Sequence, residues 1–140
     1  MNKFSIDFMA KTENVILARS LAQAFLLELD PPVSLINEVK IIVSEAVTNA
    51  IIHGYLLNAE KLVTLKMECQ DEMLRIEVID KGVGIDDIEE AKEPLYSKSS
   101  SLERAGLGLT IIELLSDDVE IISQKDVGTA VIMYKKLAFN

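Results

Sequence analysis

A chain of 140 residues is the length of one domain, taken here as residues 1–140. Its 49% hydrophobic and 26% charged residues exclude a disordered chain, and no apolar run approaches the roughly 18 residues of a membrane span. With 14 basic against 23 acidic residues the formal net charge is −9, which argues against direct nucleic-acid binding and favours basic protein partners, or anions held by backbone N–H groups and a metal.

The opening MNKFSIDFMA has no signal-peptide apolar region, so a cytoplasmic location is expected. Phe4, Ile6 and Phe8 alternate along a short half-buried strand. Thr12 is the expected N-cap of a helix that runs to about Leu29 and stops at Asp30-Pro31-Pro32. A second helix is expected from about Ser34 to Gly54, with an acidic first turn from Ser34, Asn37 and Glu38. KLVTLKMECQ and MLRIEVID read as strands around a turn at Asp71-Glu72. The single Cys69 falls in the first of them, as a small packed residue rather than a nucleophile. A glycine-rich turn follows, then a polar loop with Pro94 and a serine cluster. GLGLTIIELLS forms a helix, and DVEIISQK and TAVIMYKKL close the chain as strands around Asp126 and Gly128. Strands joined by short turns, with helices segregated to one face, give a two-layer α+β sandwich on a mixed, mostly antiparallel sheet.

Three stretches carry possible chemistry. On the second helix, at about 100° per residue, Leu35, Val39, Ile42, Val43, Ala46 and Ala50 form the core stripe. Glu45 and Asn49 lie one turn apart beside it, bordered by Ile41 and Ile52. Such a polar strip is either solvated at the helix rim or satisfied by a metal ion or ligand. Asp80 ends a strand, and Gly82 and Gly84 follow. A carboxylate before such a turn can accept a hydrogen bond from an amino group of a planar ligand, although a plain strand-exit turn has the same composition. Gly106 and Gly108 open a helix, an arrangement that suits an anion or an ordinary loop-to-helix junction. Neither a Walker A loop nor a complete dinucleotide fingerprint is present. His53 lies near the core stripe and reads as a packing residue; no second His joins it for zinc.

Taken in order, a helical E-x-x-x-N, a D-x-G-x-G after a strand, a G-x-G at a helix start and a Gly-Thr before a final strand resemble the Bergerat-fold (GHKL) ATPases. Within them the chain is similar to the small serine-kinase anti-sigma factors. EVKIIVSEAVTNAIIHGY resembles the N-box of the sporulation branch. DKGVGIDDIEEAKEPLY, SLERAGLGLTIIE and VGTAVIMY resemble its later boxes in the same order, over nearly the whole chain. The resemblance implies an ATP–Mg²⁺ site. In it Asn49 binds the metal beside the phosphates, Glu45 is the general base, and Asp80 reads the adenine amino group. Gly82 and Gly84 let the backbone pass the base, the amides of Gly106 and Gly108 meet the phosphates, and Thr129 supports Asp80. The stretch from about Lys92 to Ala105 matches the family's ATP lid, but SKSSS replaces its usual Thr-Lys-Pro, which leaves Lys98 a solvated loop lysine. Arg104, beside the second glycine pair, is a candidate contact to a partner or to the nucleotide, and Arg19 a candidate partner contact.

The family further implies a homodimer that holds sporulation sigma factor F from core RNA polymerase. It would also phosphorylate a serine of an anti-anti-sigma antagonist. The alternatives are a kinase serving a general-stress sigma factor and a nucleotide-gated binding module without transferase activity.

Overall fold

A computed structural model of the chain describes residues 1–85 and 109–137. The described elements are β1 (Asn2–Met9), α1 (Glu13–Leu27), α2 (Val33–Asn49), a single π-helical turn (Ala50–Gly54), β2 (Leu62–Gln70), β3 (Met73–Asp80), α3 (109–115), β4 (Asp118–Gln124) and β5 (Gly128–Lys136). The five strands form one sheet in the order β1-β2-β3-β5-β4. Every neighbouring pair is antiparallel, in keeping with the mostly antiparallel sheet expected. No helix among the described residues is long and apolar enough to cross a membrane.

The period of two along each strand sorts the sheet into rows. One core-facing row runs Ile6–Leu65–Val78–Val131–Ile121, and the next runs Phe4–Met67–Ile76–Met133–Val119. The core is therefore aliphatic, and Leu65, Met67, Leu74, Ile76 and Met133 are sealed from solvent. Helix α2 lays Leu35, Ile36, Val39, Ile42, Val43, Ala46 and Val47 onto this surface. Helix α1 contributes Ala18, Ala22, Phe25 and Leu26, with the Phe25 ring 5.3 Å from that of Phe4. Cys69 is buried and free of any disulfide.

Local chemistry sets the element ends. Thr12 occupies the N-cap of α1 but has helical backbone angles and no capping bond; the Asn14 side chain instead donates to the Met9 carbonyl at 2.8 Å. Helix α2 starts at Val33 after Pro32, whose extended backbone sets the entry. No acidic residue falls in its first turn, because the start lies one residue earlier than expected and Glu38 moves beyond it. The β2–β3 hairpin turns on Asp71 and Glu72, both at positive φ, the backbone twist that a two-residue hairpin demands.

Helix α2 does not continue to Gly54 as an α-helix. Its last five residues widen into the π-turn, closed by the Tyr55 N–H donating to the Ala50 carbonyl at 2.9 Å. Leu56 and Leu57 follow at positive φ and stop the helix. Tyr55 then straps three elements together. Its hydroxyl donates to the Leu62 carbonyl at 2.6 Å and accepts from the Lys81 N–H at 2.7 Å. Tyr55→Phe removes both bonds and leaves two backbone groups without that partner. We expect a loss of about 1–3 kcal/mol in urea unfolding with an unchanged denaturant slope, and faster hydrogen exchange at the Lys81 amide.

Candidate nucleotide site

At one end of the sheet the apolar rows give way to a polar one. Asp80, Thr129 and Ser123 stand side by side across β3, β5 and β4. Asp80 is 6% exposed and Thr129 8%, the only buried polar or charged residues among those described. Burial raises the Asp80 carboxyl to about 6, although the backbone N–H groups of Gly82 and Thr129 pull it back down. The Gly82 N–H lies 2.9 Å from Asp80 Oδ1. The Ser123 hydroxyl sits 2.8 Å from that of Thr129 and accepts the Ile85 N–H at 2.8 Å. One polar chain thus joins the β4–β5 end to the turn after β3.

The glycines explain how the helix layer reaches this carboxylate. A Cβ on Gly54 would sit 2.5 Å from Asp80 Cγ, so only glycine lets the π-turn close over Asp80. A Cβ on Gly82 would strike the Gly54 carbonyl, which itself accepts the Val83 N–H at 2.9 Å. Gly84 has φ +74° and packs on the Gln124 carbonyl. The D-x-G-x-G turn is therefore clamped between the end of α2 and the β4–β5 hairpin.

Helix α2 carries the other two candidates toward the same end. Glu45 and Asn49 are both half-buried, one turn apart, and the π-turn begins directly after Asn49. Burial alone raises the Glu45 carboxyl above its ordinary value, which makes it a stronger base. The side-chain nitrogen of Asn49 is buried and has no hydrogen-bond partner. Buried amides are normally satisfied, so this one is suited to a group the protein does not itself provide. Rotating the amide presents its oxygen instead, the ligand type that Mg²⁺ takes. No cluster of three His, Cys, Asp or Glu side chains able to hold a metal occurs among the described residues. Among the described residues, Asn49 is the side chain suited to such a ligand.

Gly106, Gly108 and Arg104, together with Lys98, lie outside the described residues. Arg19 is exposed on α1, an element separate from those bearing the other candidates. Sequence reasoning passed over three residues that build the site: Gly54, Ser123 and Tyr55. Gly54 was read as the end of a helix. Ser123 shares strand parity with Val119 and Ile121, a signal that places it on the core face.

The Asp80 carboxyl yields a pH signature. Its folded value of about 6 lies above the ordinary 3.8, so folding favours its protonated form. Its contribution to stability is full below pH 4 and is lost as the pH rises through 6. Unfolding of the wild type and Asp80→Asn across this range should show their stability difference shifting against the wild type by on the order of 2 kcal/mol between pH 4 and 7. A flat difference contradicts the buried carboxyl. Gly54→Ala should displace Asp80 and cost about 2 kcal/mol or more, read from the urea midpoint.

Comparison with known proteins agrees with this architecture. The family model described as a histidine kinase-like ATPase domain matches residues 8–135. An anti-sigma F factor of Clostridium beijerinckii is 48% identical over 96% of this chain and 94% of its own length. One of Oceanobacillus iheyensis is 45% identical over 98% of this chain and 94% of its own. Among solved structures, the RsbU and RsbW domains of Rv1364c from Mycobacterium tuberculosis superpose with a TM-score of 0.72 at 21% identity, covering 98% of this chain and 33% of that one. The SiaB–SiaC complex from Pseudomonas aeruginosa gives 0.71 at 13% identity, covering 94% and 88%. These two show a shared fold. The family match and the close relatives, both nearly full length, show that the chain belongs to the anti-sigma F factor family of histidine kinase-like, GHKL-type ATPase domains.

Proposed function

We propose that the chain is an ATP-dependent protein serine kinase as well as an anti-sigma factor. It would bind sigma factor F and phosphorylate a serine of the anti-anti-sigma protein that antagonises it. The observation that carries this reading is the pairing on α2 of a carboxylate made more basic by burial with a buried, unpartnered amide one turn away. The helix that bears them ends against a sequestered carboxylate. A binding module without transferase activity has no use for the first of these groups.

In this reading Asp80 accepts a hydrogen bond from the exocyclic amino group of adenine, and the Thr129–Ser123 pair holds the floor around it. Asn49 would hold Mg²⁺, which supplies charge neutralisation at the phosphates when bound. Glu45 takes the proton from the acceptor serine as its oxygen bonds to the γ-phosphorus. The bond from that phosphorus to the β–γ bridging oxygen breaks, and ADP leaves with its electron pair. Glu45 orients the hydroxyl before transfer, so its contribution combines positioning with base catalysis.

The net charge of −9 suits an encounter with basic surfaces of a sigma factor, with steering that weakens as salt rises. The proposed assembly is a homodimer, as the resemblance implied, working in the cytoplasm.

Incubation with γ-labelled ATP, Mg²⁺ and candidate anti-anti-sigma proteins should give labelled serine. Glu45→Ala should lower the transfer rate by about 100-fold or more and leave ATP binding within about twofold. Asn49→Ala should lose the Mg²⁺-dependent part of ATP affinity. Undiminished transfer by the Glu45 variant would refute its assignment as base, and binding without any transfer by the wild type would favour the module that only binds.

A further inference from the structure

The hydroxyl pair beside Asp80 has a proton to spare. Asp80 and Thr129 stand directly opposite each other on β3 and β5, so their side chains leave the same face of the sheet as neighbours, and both are buried. Thr129 helps to hold the Asp80 carboxylate through its backbone N–H, not through its hydroxyl. The hydroxyl lies instead 2.8 Å from that of Ser123 on β4. Ser123 in turn accepts the Ile85 N–H at 2.8 Å and lies 3.2 Å from the Gly128 carbonyl.

A hydroxyl has one proton and two lone pairs. The Ile85 N–H fills one lone pair of Ser123, which leaves two arrangements. In the first, Thr129 donates to Ser123, and Ser123 donates to the Gly128 carbonyl. In the second, Ser123 donates to Thr129, and the Thr129 proton is free for an acceptor beside Asp80. The second loses only the contact to Gly128, and 3.2 Å is long for an O–H···O bond. Reversal therefore costs little, and a ligand acceptor compensates it. We propose that Ser123 is a positioning residue for the nucleobase: it donates to Thr129 and so aims the Thr129 proton at a ring nitrogen of the base whose amino group Asp80 holds. The chemistry of adenine fits, since ring-nitrogen acceptors, N1 and N7, lie on either side of its amino group. Asp80 and Thr129 then offer an acceptor and a donor side by side. Stability is indifferent to the direction of the Ser123–Thr129 proton, because the bond between the two hydroxyls is made in both arrangements. Recognition needs one direction, and the Ile85 N–H favours it by occupying a Ser123 lone pair that Thr129 would otherwise fill.

This inference rests on the nucleotide reading, and the test separates the two. Adenosine, 1-deazaadenosine and 7-deazaadenosine, the last two with C–H in place of N1 or N7, are titrated calorimetrically into wild type, Ser123→Ala, Ser123→Thr and Thr129→Val. Wild type should bind one of the deaza analogues about tenfold more weakly than adenosine, the loss of one hydrogen bond to a buried donor. In Ser123→Ala and in Thr129→Val that ratio should fall to about twofold, with adenosine weakened toward the analogue. Ser123→Thr keeps the hydroxyl and should restore most of the ratio. The ratio compares two ligands on one protein, so a loss of stability in a variant leaves it unmoved. A tenfold ratio that persists in Ser123→Ala, with all three ligands weakened in parallel or not at all, overturns the proposal and leaves Ser123 a purely structural role. A wild type that binds all three ligands equally overturns it too. A wild type that binds none of them overturns the nucleotide reading and this inference with it.

Discussion

The contact on which the site depends is that between the Gly54 backbone and the Asp80 carboxylate. A carboxylate sequestered at the end of an aliphatic sheet face is costly, and two backbone N–H groups compensate it only in part. The fold keeps it there by having no side chain at Gly54 or at Gly82, so that the helix end and the turn after β3 close on it from two sides. Loosening either glycine would let water in and remove the desolvation that makes Asp80 hungry for a donor. Tyr55 belongs to the same arrangement, since its hydroxyl holds the start of β2 and the exit of β3 at a fixed distance.

The core face of the sheet is thus an aliphatic block with a functional end and a structural end. Asp80 with its hydroxyl neighbours stands at one, and Lys135, in an ion pair with Glu38 of α2, at the other. Helix α2 runs along the block and touches both ends, through Glu38 and through the π-turn. A stiff, well-packed element held at each end carries Glu45 and Asn49 between them. Precision at the proposed reaction centre is inherited from distant anchors rather than from direct bonds to those two side chains.

Much of this was legible in the residues. Alternation in KLVTLKMECQ and MLRIEVID gave the strands and their buried parity, and the two-residue turn at Asp71-Glu72 fixed their register. The polar strip of Glu45 and Asn49 was visible from helix geometry, although periodicity could not separate a solvated rim from a ligand site. That distinction rests on the unpaired Asn49 nitrogen, a property of three-dimensional packing. Gly54 escaped notice because glycine after a helix is the commonest stop signal, and nothing local reveals that a carboxylate 26 residues later rests against it. The start of α2 was placed one residue late and its first turn read as acidic, because Pro32 sets the entry through backbone restriction. For Lys135 the only hint of its inward position is its parity with Val131 and Met133.

The π-turn also bears on how this chain can vary in length. Between Asn49 and Gly54 the helix carries the extra residue that turns Gly54 toward Asp80. Deleting any one residue there would tighten the coil back to an ordinary helix and swing the following backbone by about 100°, presenting a bulky neighbour to the carboxylate. A few residues further on, from Asn58 to Lys61, the chain crosses an exposed loop in which length is far less constrained. Within a dozen positions, then, a one-codon change is either nearly silent or fatal to the pocket, and the boundary between the two lies at Tyr55.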